Sequence, residues 1–159
     1  MNVFRSSEII TVAIQIEKNG FAFFTKVKNK SRSFPVQELF KYLADEEIKH
    51  QHTFEELLKL AENYEPAEAY PGELRQYLEA LAAENVFTND ATIKDMAQKT
   101  LSDKEAIQLG IGFEKDSIIF FTEIKKFIPE KEQKLIDTII EEEKLHLRKL
   151  TQLRQEVSL

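Results

Sequence analysis

The chain has 159 residues, 42% of them hydrophobic and 31% charged, which is enough for one globular domain whose core needs no covalent staples. It contains no cysteine, which excludes disulfides, thiolate zinc sites, iron–sulfur clusters and a cysteine nucleophile, and leaves carboxylates and 3 histidines as the available metal ligands. The formal net charge of -6, with no basic stripe, argues against a nucleic-acid partner. With no apolar leader, and no apolar run near the ~20 residues that span a bilayer, the expectation is a cytoplasmic chain with no membrane partner.

Only 4 Gly and 4 Pro punctuate the sequence, and apolar residues recur at spacings of three and four over long stretches, so long helices are predicted. The first covers about Ser6–Lys30. A polar KNKSRS stretch follows, and Pro35 suits the opening turn of a second helix at about Pro35–Glu62. A connection of nearly 40 residues comes next, about 63–101, with Pro66 and Pro71 near its start. Within it Glu73–Asn85 reads as a short amphipathic helix and Ala91–Lys99 as another, with Tyr64, Tyr70 and Tyr77 packing the connection down. The third long helix, about Ser102–Phe127, opens on a capping box formed by Ser102 and Glu105. Pro129 separates it from a fourth at about Glu130–Glu156. Short turns make the first and second helices one antiparallel hairpin (about 6–62) and the third and fourth another (about 102–156). The long connection can carry the chain along the whole bundle between them. The expectation is an all-α, up-down four-helix bundle with a long crossover, forming a single domain over 1–159.

An internal repeat points to chemistry. Glu17-Lys18-Asn19-Gly20-Phe21-Ala22-Phe23-Phe24-Thr25 in the first helix is matched by Glu114-Lys115-Asp116-Ser117-Ile118-Ile119-Phe120-Phe121-Thr122 in the third, 97 residues on, with five of nine positions identical. Glu46-Glu47-Ile48-Lys49-His50 in the second helix is matched by Glu142-Glu143-Lys144-Leu145-His146 in the fourth, 96 residues on. Two hairpins thus present the same polar groups at the same depth. Those groups sit on apolar faces. Ile10, Ala13, Ile14 and Phe24 flank Glu17, and Ile107, Ile111 and Phe121 flank Glu114. Glu47 and His50 interrupt a stripe of Phe40, Leu43 and Phe54, while Glu143 and His146 interrupt one of Ile136, Ile139, Ile140 and Leu150. Four inward carboxylates repel one another and are costly to desolvate, and two divalent cations cancel their charge. Glu-x-x-His spacing puts both side chains on one helix face, able to reach a common ion. Two such pairs, with one glutamate from each other helix, supply six ligands for two ions, and mixed oxygen and imidazole donors suit iron or manganese.

With these residues the chain resembles a rubrerythrin-type member of the ferritin-like di-iron carboxylate superfamily, over essentially its whole length. The resemblance implies that Glu17, Glu47, His50, Glu114, Glu143 and His146 are the metal ligands and, through the metals, the catalytic residues. The implied cofactor is two iron ions, with manganese as the alternative, and pseudo-symmetry favours Glu47 and Glu143 as the bridging pair. It implies an oxidoreductase that reduces peroxide or oxygen at the dinuclear centre, or an iron-binding ferroxidase that serves storage, and a homodimeric assembly. Two departures stand out. Rubrerythrins usually carry a rubredoxin-like domain with four cysteines, and this chain has none, so a separate electron donor is expected. They also have a further glutamate three residues after the ligand on the third helix, where this chain has Ser117, with Gly20 as its counterpart in the first helix. Phe24 and Phe121 stand where ferritin-like proteins often have tyrosine. Glu46 and Glu142 are expected to be solvated or to accept hydrogen bonds behind the ligands, His52 to be a surface residue and the phenylalanines to be core. The plain alternative is a helical bundle that kept the repeat and lost its metal.

Overall fold

The structure is a computed structural model that describes residues 6–61, 72–84 and 101–157. Helix α1 spans Ser6–Lys30 and α2 spans Phe34–Ala61. Only three residues join them. Ser31 N–H still donates to Val27 O at 2.9 Å, and Gln37 Nε2 reaches back to Ser31 O at 2.7 Å, so the turn's polar groups are satisfied as the chain reverses. Pro35 lies in the first turn of α2, where its missing N–H breaks no helical bond. Helix α3 spans Glu73–Glu84, preceded by Gly72 at φ 94°, a left-handed value that suits glycine. Its Leu78 is buried, and α3 packs against the next helix, α4, Asp103–Ile124.

Ser102 caps α4 in a reciprocal box. Its Oγ accepts from Glu105 N–H at 3.2 Å, and Glu105 Oε2 accepts from Ser102 N–H at 2.8 Å. The chain leaves α4 through two 3₁₀ turns, Lys125–Phe127 and Glu130–Glu132, with Pro129 between them, and enters α5, Gln133–Val157. The third and fourth predicted helices are thus shorter at this junction, because Pro129 and the buried Phe127 and Ile128 tighten the link. Among the described residues there is no strand and no helix long and apolar enough to cross a membrane.

The two hairpins, α1 with α2 and α4 with α5, face each other, α1 against α4 and α2 against α5. Ser6 Oγ donates to Phe127 O at 2.7 Å, which ties the start of α1 to the 3₁₀ turn that follows α4. At the opposite end Lys26 and Lys30 of α1 lie beside Leu101 and Ala106 around a small cavity. Helices α1 and α4 therefore run antiparallel, so the end of α2 and the start of α4 lie at opposite ends of the bundle, on the order of 40 Å apart. That is the expected four-helix bundle with a long crossover. Tyr77 is half exposed and does not pack the crossover down as expected; Leu78, one position on, turns inward in its place. Tyr64, Tyr70 and the helix expected at Ala91–Lys99 lie outside the described residues.

Phenylalanines fill the bundle. Phe24 meets Phe40 at 5.7 Å and Phe113 at 5.5 Å between ring centroids, both edge to face, and Phe54 meets Phe121 at 4.9 Å. All five are fully buried. The apolar layers they build leave one polar stratum between them.

Candidate metal centre

Each long helix brings its repeated acidic position to that stratum. Glu17 on α1, Glu47 and His50 on α2, Glu114 on α4, and Glu143 and His146 on α5 are all 0% to 1% exposed. The i, i+3 spacing stacks each glutamate and histidine on one face of α2 and of α5. The six predicted residues converge in two overlapping groups. Ligand-type atoms of Glu17, Glu47, His50 and Glu143 lie within 4.8 Å of one another, and so do those of Glu47, Glu114, Glu143 and His146. Glu47 and Glu143 belong to both.

The donor atoms point at one another with few bonds between them. His50 Nδ1 is 3.0 Å from Glu143 Oε1 and 3.3 Å from Glu17 Oε2, yet it is aligned for a hydrogen bond with neither. His146 Nδ1 is 3.6 Å from Glu114 Oε1 and is hydrogen-bonded to Glu143 Oε2 at 3.0 Å. As carboxylates, Glu17, Glu47 and Glu114 have no hydrogen-bond donor for either oxygen among the described residues. Orphaned buried acceptors are rare in folded proteins because each costs about 1–3 kcal/mol. The two imidazoles lie nearly parallel with centroids 5.7 Å apart, one for each group.

Electrostatics agrees with the geometry. Burial pushes the Glu47 carboxyl well above the ordinary carboxylate range, and the charges of Glu17 and Glu143 push it further. Burial and then Glu143 do the same to Glu114. Burial also raises Glu17, against the opposing effect of the neighbouring Glu47 and His50. Burial works against the charge on Glu143 too, but Glu114, His50 and His146 outweigh it and hold this carboxyl well below the usual range. For His50 burial opposes protonation, and the neighbouring Glu143 and Glu17 override it and raise its basicity well above that of a free imidazole. Without a cation, then, burial and crowding favour the protonated form of Glu47 and Glu114. A pair of divalent cations fits this donor set. Their four positive charges would match four carboxylates, with Glu17 and His50 placed to hold one, Glu114 and His146 the other, and Glu47 and Glu143 within reach of both.

The neighbouring predicted positions fall as follows. Ser117 is fully buried one turn after Glu114, and its Oγ has no hydrogen-bond partner among the described residues. At Gly20 a Cβ would come within 2.5 Å of Phe113 Cζ and 3.1 Å of Glu47 Oε2, so this position is bare because the Phe113 ring fills it. The side chain of His52 is 69% exposed, as expected for a surface residue. Glu142 bonds the outer nitrogen of His50, with Nε2 3.0 Å from Oε2, whereas Glu46 pairs with Lys49. Sequence reasoning missed Tyr42, whose ring stands edge to face with His146 at 5.6 Å. Its position four residues before Glu46, on the same face of α2, is the signal that could have found it.

A rubrerythrin family profile matches residues 8–154. Among solved structures, the crystal structure of a Thermotoga maritima protein described as a ferritin-like diiron-carboxylate protein superposes with a TM-score of 0.72 at 27% sequence identity, covering 99% of both chains. Among curated protein sequences none gives a significant match.

Proposed function

The chain belongs to the rubrerythrin family, and from that premise we propose that it is a di-iron oxidoreductase that reduces peroxide or oxygen. The observation that carries this reading is the pair of fully buried clusters sharing Glu47 and Glu143. Glu17 and His50 would hold one ion, Glu114 and His146 the other, and Glu47 and Glu143 both. A pair of ferrous ions supplies two electrons, the number that, with two protons, converts one hydrogen peroxide to two waters.

The chain's own residues set the conditions. Four carboxylates would favour the higher charge of an oxidised pair, and the imidazoles of His50 and His146 would fix the ions from α2 and α5. Phe24, Phe40, Phe54, Phe113 and Phe121 form apolar layers that keep bulk water from the stratum. With no cysteine in these 159 residues, the reductant that returns the centre to its starting state comes from outside them.

A second reading, ferroxidation serving iron binding or storage, is favoured by Ser117, because the additional glutamate of the rubrerythrin pattern is absent there. Anaerobic loading with Fe(II), followed by peroxide and excess reductant, separates the two. Many turnovers per centre support the oxidoreductase, and a single stoichiometric oxidation with retained ferric iron supports storage. A chain that takes up neither Fe(II) nor Mn(II) would be a bundle without metal chemistry, and both readings would fall.

A further inference from the structure

The repeat that makes the two halves alike is broken at one place, and the break falls on the histidines. In the α5 motif Lys144 stands three residues after Glu141 and pairs with it at 2.6 Å, which leaves Glu142 free to cross to α2 and accept from His50 Nε2 at 3.0 Å. In the α2 motif the lysine comes one position later. Lys49 stands three residues after Glu46, the counterpart of Glu142, and pairs with it. Glu46 therefore makes no bond to His146, whose buried Nε2 has no hydrogen-bond partner among the described residues and whose ring faces Tyr42 instead. The repeat places leucine, Leu145, where α2 has Lys49, and threonine, Thr138, where it has Tyr42.

We propose that Glu142 is a positioning residue that makes the two metal positions unequal, so that the position served by Glu17 and His50 takes the first ion and holds it more tightly than the one served by Glu114 and His146. A carboxylate accepting from the outer nitrogen of an imidazole keeps the proton there, leaves the inner lone pair free and makes the ligand more basic. Such a partner is worth about 10–100-fold in metal affinity. His50 Nδ1 faces Glu17 and Glu143 in the orientation this requires, while the outer nitrogen of His146 has no carboxylate partner among the described residues. This inference rests on the reading of the six residues as a two-metal centre.

Calorimetric titration of Mn(II) into the metal-free, full-length protein under anaerobic conditions tests it. The parent shows two steps, the first at least ~10-fold tighter. Glu17→Gln leaves a single step with the weaker affinity, and Glu114→Gln leaves a single step with the tighter one, which assigns the order. Glu142→Ala weakens the tight step about 10–100-fold and spares the other, so the two merge, while Glu142→Gln, which keeps an acceptor oxygen, restores part of the difference. The side chain of Glu142 is 42% exposed, so these variants keep the fold, as unchanged helical circular dichroism verifies. Two equal steps in the parent, or a Glu142→Ala variant that moves both steps alike or neither, would overturn the inference and leave the two-metal reading standing. A parent that takes up no Mn(II) and no Fe(II) would overturn both.

Discussion

Replacing Glu47 by leucine should stabilise the metal-free protein and abolish its response to metal. Glu47 is fully buried at the centre of both clusters, neither of its oxygens has a hydrogen-bond donor as a carboxylate among the described residues, and burial holds its carboxyl well above the usual range. Leucine is close to it in volume and brings no charge to desolvate. Removing Glu47 relieves both its own desolvation and its repulsion with Glu17, Glu143 and Glu114, a gain of about 1–4 kcal/mol if it matches the apolar replacement of whole buried ionic clusters. At this chain length each kcal/mol moves the melting temperature by about 2–4 °C, so the metal-free variant should melt visibly higher than its parent. In the parent, an ion present at about 100 times its dissociation constant adds about 2.7 kcal/mol per site, whereas the variant, lacking a ligand common to both positions, should gain little. Thermal melts of both proteins, with chelator and with Mn(II), read the two effects with opposite signs. A variant less stable than the parent without metal would show that Glu47 serves packing. A variant that keeps the full metal-induced rise would show that Glu47 is no ligand.

Metal affinity should rise with pH. Burial raises Glu47 and Glu114, so the folded metal-free protein keeps protons that an unfolded chain has released, and it loses stability as pH climbs from the ordinary carboxylate range through those raised values. Metal must displace the same protons, so Mn(II) affinity should be higher at about pH 7.5 than at about pH 5.5, with proton release measurable in buffers of different ionisation enthalpy. Gly20→Ala should lower stability by about 1–2 kcal/mol in denaturant melts, because the added Cβ meets Phe113 at 2.5 Å and this overpacking outweighs the better helix propensity of alanine. Ser117→Glu should raise peroxide turnover by the iron-loaded protein in the presence of reductant, since it places a fifth carboxylate, and a seventh candidate ligand, one turn from Glu114. Unchanged turnover would mean that the reductant, not this ligand position, limits the reaction.

Most of the fold was legible because helical periodicity and prolines act locally. The bounds of α1 coincide with the expected ones, and Ser102 and Glu105 announced the start of α4 through chemistry contained in four residues. The convergence of the six site residues was legible for another reason. Carboxylates on apolar faces, duplicated at a nearly constant offset, can share one depth only if two hairpins face each other. What sequence could not give is which side chain meets which across the gap between α2 and α5. Glu46 and Glu142 occupy equivalent places in the repeat, yet one turns to Lys49 and the other to His50, and a single lysine shifted by one position decides it. Tyr77 and Leu78 are adjacent, so an apolar stripe drawn over both cannot say which one the rotation of α3 turns inward. The bare Gly20 likewise became intelligible only when the Phe113 ring was found filling the space beside it.

The most direct measurement is anomalous X-ray scattering at the iron edge from crystals of the Fe(II)-loaded protein. Two peaks about 3.5–4 Å apart are predicted. One should lie between Glu17 and His50 and the other between Glu114 and His146, with Glu47 and Glu143 reaching both. Crystals without a peak in that stratum, or with iron held only by exposed acidic side chains, would contradict it.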